Sequence, residues 1–130
     1  MVFLRINNND NMRRFVHSFW TKPCENDNEK LKKYILYFAT SLAWLKKNNF
    51  PIVLHTDSKG KEIFKDLPYD EIYTTLDNIP ENINPKFYAY GKFLAMQQEE
   101  LGSVHIDGDV FIKTKELGDR ILNFKSDLIT

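Results

Sequence analysis

An α/β fold, with a mostly parallel open sheet and helices on both faces, is what the order of segments predicts. Four short runs that read as strands alternate with longer stretches of helical periodicity. The apolar run ending in His105-Ile106 reads as a buried strand, and it closes on a pair of aspartates, Asp107 and Asp109. Connections of this kind run parallel strands through right-handed crossovers, which cover the sheet on both sides.

The elements follow in order. Residues 1–11 end in Asn7-Asn8-Asn9-Asp10-Asn11, a cluster with poor helix and strand propensity ahead of Met12-Arg13-Arg14. They are expected to form a flexible extension that adds little to the fold, with Met12 as the natural start and 12–130 as one domain. Phe15 to Trp20 reads as the first strand, closed by Thr21-Lys22-Pro23. Asn28 is placed to cap a helix from Glu29 to about Asn48, in which Leu31, Tyr34, Ile35, Phe38, Leu42 and Leu45 recur at helical spacing. The lysines of that helix, Lys30, Lys32, Lys33, Lys46 and Lys47, read as its solvated face. Pro51 to Asp57 is a second strand, and Asp57 or Ser58 starts a short helix to Leu67. Asp70 to Thr74 is a third strand. A connector with Pro80 and Pro85 leads to a helix over Lys86 to Glu100, carrying Phe87, Tyr90, Phe93, Leu94 and Gln97 on overlapping faces. Gly102 ends it, and Ser103 to Ile106 is the fourth strand. A helix over Glu116 to Phe124 and the start of a strand over Ser126 to Thr130 complete the chain, which has no internal repeat.

Composition removes several function classes. The chain has 130 residues, 42% of them hydrophobic, enough for one domain with a real core. Eighteen basic residues balance eighteen acidic ones, so no global field favours nucleic acid or an anionic membrane, and any phosphate binding must be local. The single cysteine, Cys24, rules out an intramolecular disulfide and a multi-thiolate zinc site. No apolar stretch approaches the roughly 20 residues of a membrane span, and no signal-peptide pattern is present. A cytoplasmic location is the expectation.

Asp107 and Asp109 are alternate residues, so in an extended segment they share a face, and Gly108 between them permits a tight turn and leaves room for a ligand. Two hard oxygen donors at this spacing suit Mg²⁺ or Mn²⁺ bridging to a phosphate better than they suit zinc. The same tripeptide is also good turn chemistry. In open parallel sheets ligands bind outside the carboxyl ends of the strands. There this sequence places His17, Ser18 and Trp20, then His55, Thr56 and Asp57, then His105, Asp107 and Asp109. No Gly-x-Gly-x-x-Gly or Walker-type loop follows a strand, so phosphate must be held by metal and side chains. With the first strand between the second and fourth, the three histidines would stand in a row about 4.8 Å apart. The ordinary expectation for each is a buried neutral imidazole with its hydrogen bonds met; the other is that His17 or His105 reaches a diphosphate.

The run from Lys86 to Met96, followed by Val104-His105-Ile106-Asp107-Gly108-Asp109-Val110-Phe111, resembles the nucleotide-binding half of GT-A glycosyltransferases. There an aromatic helix with a basic residue leads into an apolar strand ending Asp-x-Asp. The resemblance covers roughly residues 13–130 and implies a Rossmann-like half domain. It also implies that Asp109 ligates the cation and Asp107 meets the ribose or a metal-bound water. Lys92 faces the diphosphate or donor sugar, and Trp20 stacks on the base unless it serves only in packing. The implied partners are a nucleoside-diphosphate sugar and an unknown acceptor, with Mn²⁺ or Mg²⁺ as cofactor and surface polysaccharide synthesis as a setting. Ser18, Trp20, Asp57, Lys92 and Asp107 form the expected nucleotide-sugar-binding set, and no catalytic residue is assigned. Only Lys113 to Thr130 follow the motif, too few for an acceptor half, so the chain is expected to be truncated. Two alternatives stay open. A sugar-phosphate nucleotidyltransferase would be expected to carry a Gly-rich basic loop after the first strand, and a noncatalytic α/β interaction module would leave both aspartates as solvated turn residues.

Overall fold

The computed structural model describes residues 2–4, 13–99 and 102–123. Five strands form one sheet: β1 (Val2–Leu4), β2 (Phe15–Phe19), β3 (Ile52–Thr56), β4 (Glu71–Tyr73) and β5 (Val104–Ile106). Their order is β1-β5-β2-β3-β4, with β2 to β5 mutually parallel and β1 antiparallel on the edge. The helices are α1 (Asn28–Lys47), α2 (Ser58–Phe64), α3 (Ala89–Gln97) and α4 (Lys115–Leu122). The fold is therefore α/β with a mostly parallel open sheet, a Rossmann-like arrangement.

The chain runs outward from β2 to β3 and β4, then returns past β2 to place β5 on its other side. Because crossovers keep one hand, this reversal moves the following helix to the opposite face of the sheet. The packing agrees. Phe15, Phe19, Ile52 and Leu54 meet Phe38, Leu42 and Leu45 of α1, Phe64 of α2 and Leu122 of α4, whereas Val16 and Val53 on the other face meet Met96 of α3. Strands covered on both sides need apolar residues at consecutive positions, which is why Ile52-Val53-Leu54 shows no alternation.

Several details differ from the sequence expectations, among them the end of α2, which stops at Phe64 rather than Leu67. The cap of α1 is Asp27, whose side chain accepts from Lys30 N–H at 3.0 Å, rather than Asn28. The helix expected from Lys86 starts at Ala89, since Asn84 Oδ1 accepts from Lys86 N–H and Phe87 N–H bonds Asn84 C=O, holding that stretch in turns. Moreover, α3 buries Gly91, Ala95 and Met96, while Phe87, Tyr90 and Phe93 are exposed. A Cβ at Gly91 would stand 3.2 Å from Leu76 and 3.8 Å from Trp20, so the helix lies closer to its neighbours than a bulky face allows.

At the N-terminus, Val2–Leu4 pairs along β5 in the register Val2↔Ile106 to Leu4↔Val104, so part of the expected extension is an edge strand. The remainder of that extension, and the strand expected over 126–130, lie outside the described residues. Among the described residues no helix is long and apolar enough to cross a membrane.

Candidate functional site

Reversal of strand order leaves a crevice where neighbouring connections depart in opposite directions, here between β2 and β5. A cavity of about 370 Å³ opens there, within the range of small-molecule sites. Its walls combine the end of β2 (Ser18, Phe19, Trp20), the turn after β5 (Asp107, Gly108, Asp109), one side of α1 (Lys30, Tyr34, Phe38) and the start of α3 with Tyr88, Gly91 and Lys92. Pro23 and Cys24 complete the lining.

Five of the six expected ligand-contacting residues thus meet at one place: Ser18, Trp20, Lys92, Asp107 and Asp109. Asp57 does not. One of its oxygens caps α2 by accepting from Gly60 N–H at 2.8 Å, and the other accepts from Thr21 N–H at 2.9 Å and Thr21 Oγ1 at 2.8 Å. Asp57 therefore fastens the loop after Trp20 to the end of β3 and stands outside the cavity lining.

The Asp-Gly-Asp segment leaves β5 as a turn closed by Val110 N–H on Asp107 C=O at 3.0 Å. Gly108 is buried, and its space is not left to a ligand: a Cβ there would collide with the Phe38 ring. The glycine is needed for close approach of the turn to α1. A second tie comes from Ser41, whose hydroxyl donates to Val110 C=O at 2.7 Å. With that proton committed, Ser41 Oγ accepts from His17 Nε2–H at 3.0 Å, which leaves His17 Nδ1 to accept from the Tyr69 hydroxyl at 2.8 Å. Burial, opposed only in part by Asp107, holds His17 at about 3, so the ring is neutral and has one N–H. Tyr69, His17, Ser41 and Val110 form a chain of hydrogen bonds that fixes the turn from behind.

The three histidines do not form a row. The first strand does lie between the other two, but the register pairs Ser18 with His55 and Val16 with His105. His17 consequently faces α1, while His55 and His105 face the α3 side. His105 Nε2 meets Ser18 Oγ at 2.8 Å, and burial, followed by the nearby Lys92 charge, lowers it to about 3. His55 Nε2–H donates to Glu99 at 2.7 Å and its Nδ1 lies 2.8 Å from Thr75 Oγ1. All three imidazoles are buried and hydrogen-bonded, and none lines the cavity.

Lys92 Nζ lies 2.7 Å from Asp107 Oδ1. Burial by itself would raise the Asp107 carboxyl, but the adjoining ammonium works the other way and the net is below the ordinary value. A cation already rests on this carboxylate, so the turn attracts positive charge. Asp109 is exposed beside it. Among the described residues no third His, Cys, Asp or Glu completes a cluster with this pair. Two carboxylates fit Mg²⁺ or Mn²⁺, which keep several positions for water and phosphate oxygen, and do not fit a closed structural site. Burial pushes the Cys24 thiol up, so it stays protonated and is a poor ligand.

Sequence reasoning missed Lys30 and Tyr34, which line the cavity with Phe38. Their spacing at i, i+4 and i+8 puts all three on one stripe of α1, a signal that outweighs the ordinary reading of a lysine as solvated. It also missed Glu99, which is buried behind the sheet. Glu99 accepts from Arg14 Nε at 2.8 Å and Arg14 Nη2 at 3.0 Å, and from His55 and Ser103. Burial would raise Glu99, but the bonds from His55 and Arg14 prevail and hold it at about 2.

Comparison with curated proteins and with solved structures returns no match. A family model does match, over residues 12–130, and its description, a family of unknown function, names no activity. A match across the whole of the cavity-bearing domain makes the chain a member of that family, DUF6734.

Proposed function

We propose that this chain is the donor-binding part of a metal-dependent glycosyltransferase, which holds a nucleoside-diphosphate sugar for transfer to an acceptor. What supports the reading is the cavity at the β2/β5 switch point, where two carboxylates, two lysines and five aromatic residues converge. Asp109, exposed at the rim, is the direct ligand for Mn²⁺ or Mg²⁺, and Asp107 meets the ribose or a metal-bound water. Lys92 and Lys30 supply positive charge for the diphosphate, and Trp20 and Tyr34 offer ring faces to the base. The cation would act as a Lewis acid, stabilising charge on the departing nucleoside diphosphate. Ser18, held by neutral His105, presents a fixed hydroxyl at the cavity wall. The cytoplasm is the proposed compartment, in keeping with the free thiol of Cys24, and surface polysaccharide synthesis is the proposed setting.

Calorimetric titration with UDP, GDP, CDP and ADP, each with and without Mn²⁺, tests this. At least one nucleotide is expected to bind in a Mn²⁺-dependent manner, and Asp109→Ala is expected to weaken that binding by at least about tenfold, 1.4 kcal/mol. Binding that is absent throughout, or indifferent to Mn²⁺ and to Asp109→Ala, would reject the reading in favour of an interaction module.

A further inference from the structure

Resting on the donor-site reading, a second inference concerns what holds the metal-binding turn in place. Two adjacent hydroxyls of α1 act differently. Thr40 Oγ1 donates to Leu36 C=O at 2.8 Å, four residues back on its own helix, the ordinary use of a mid-helix hydroxyl. Ser41, on the buried face of α1 with Phe38, Leu42 and Leu45, donates at 2.7 Å to Val110 C=O, 69 residues away in the chain. A hydroxyl in that interior carries a desolvation cost that an alanine would not. His17 and Tyr69 add to it, the first 3.0 Å from Ser41 and the second 2.8 Å from His17. Three polar side chains thus lead through an apolar layer to one carbonyl.

That carbonyl belongs to the residue after Asp109. On the other side of Asp109, Gly108 lies so close to Phe38 that a Cβ would collide with the ring. Phe38 and Ser41 are one turn apart on α1, so both neighbours of Asp109 are pinned to the same face of one helix. The carboxylate between them is exposed. Fixed on its backbone, it has less freedom to lose on meeting an ion than a carboxylate on a mobile loop.

We propose that Ser41 positions Asp109 for the divalent ion, with His17 and Tyr69 holding the Ser41 hydroxyl on Val110. Ser41 touches neither ion nor nucleotide; it is a positioning residue. A turn pinned on both sides presents its carboxylate at one distance and angle, which suits the short, regular coordination of Mg²⁺ and Mn²⁺ better than the longer and more variable shell of Ca²⁺. The network therefore favours the smaller ions as well as strengthening their binding.

Calorimetric titration of the full chain with UDP, GDP, CDP and ADP, without metal and with excess Mn²⁺, Mg²⁺ or Ca²⁺, tests this without any turnover. The quantity read is the gain in nucleotide affinity that each metal produces, which linkage makes equal to the gain in metal affinity. Ser41→Ala is expected to cut the gains from Mn²⁺ and Mg²⁺ by about fivefold or more, since groups that orient a metal ligand commonly govern its affinity on that scale. The gain from Ca²⁺ should fall less. Thermal unfolding sets a temperature at which every variant is folded; if Ser41→Ala does not fold, Ser41→Cys, close in size and a weaker donor, is expected to change the gains in the same direction. Unchanged gains in the Ser41 variant, with the Mn²⁺ gain still lost in Asp109→Ala, would overturn the positioning role and leave the donor site standing. Gains that fall by one factor for all three metals would also overturn it, as the mark of a generally loosened fold. No metal-dependent gain in the wild type would overturn the donor site and this role together.

Discussion

Glu99→Ala is expected to destabilise the fold by about 3 kcal/mol, the cost of removing the buried acceptor of a charged network whose Arg14 end is partly exposed. Glu99 is buried and takes hydrogen bonds from Arg14, His55 and Ser103. Those donors stand on different elements, so the carboxylate joins the entry of β2, the end of β3 and the start of β5. Truncation leaves the Arg14 guanidinium with Tyr73 and solvent in place of a carboxylate, and removes the acceptor from His55 and Ser103. A fall in melting temperature of more than about 10 °C should result, while Glu99→Gln, which keeps part of the hydrogen bonding, should lie between. A loss below about 1 kcal/mol in urea unfolding would mean that the network carries no net stability. Acid should act on the same group: a carboxyl held at about 2 contributes stability above the ordinary value near 4.5 and loses it as pH falls toward 2.

Earlier on the acid side, the second large effect belongs to His17 and His105. Both lie at about 3 in the folded chain against an ordinary 6.5. Below pH 6.5 the unfolded chain takes up protons that the folded chain refuses, so stability falls as pH drops from 6.5 toward 3. Each ring contributes a slope of up to about 1.4 kcal/mol per pH unit. Together they remove about 6 kcal/mol between pH 6.5 and 4, comparable with the whole stability of an ordinary domain. The protein is therefore expected to unfold near pH 4, before most of its carboxylates are protonated. His17→Gln, whose amide offers the N–H for Ser41 and an acceptor for Tyr69, should flatten this slope by about half. A flat stability profile from pH 6.5 to 4.5 in the wild type would contradict the neutral, buried state of both rings.

The parts of the fold that could be read from sequence were those set by local signals. Helical spacing marked α1, the apolar run before Asp107 marked β5, and the alternation of the two kinds of segment fixed the class. The rule that ligands bind at carboxyl ends of parallel strands then brought Ser18, Trp20, Asp107 and Asp109 together before any geometry was known. What escaped depends on distant partners. Val2–Leu4 forms a strand because β5 offers an edge to it, and nothing in three residues beside an Asn-rich run announces that edge. Glu99 reads as an ordinary charged helix end, since Arg14 is 85 residues away in the chain. The histidine row failed on register, a property of pairs of strands: a shift of one residue moves a side chain to the other face. Asp57 has the position of a ligand-binding residue and the hydrogen bonds of a cap. Lys30 was legible, at helical spacing from Tyr34 and Phe38, and the common behaviour of lysines concealed it.

Anomalous diffraction at the manganese edge, from crystals of this chain grown with Mn²⁺ and the nucleoside diphosphate that binds best, addresses the donor site directly. The expected result is a single strong peak beside Asp109 and Asp107, with the diphosphate between it and Lys92, and the base between Trp20 and Tyr34. A peak held by other residues, or a nucleotide seated away from the β2/β5 crevice, would contradict it.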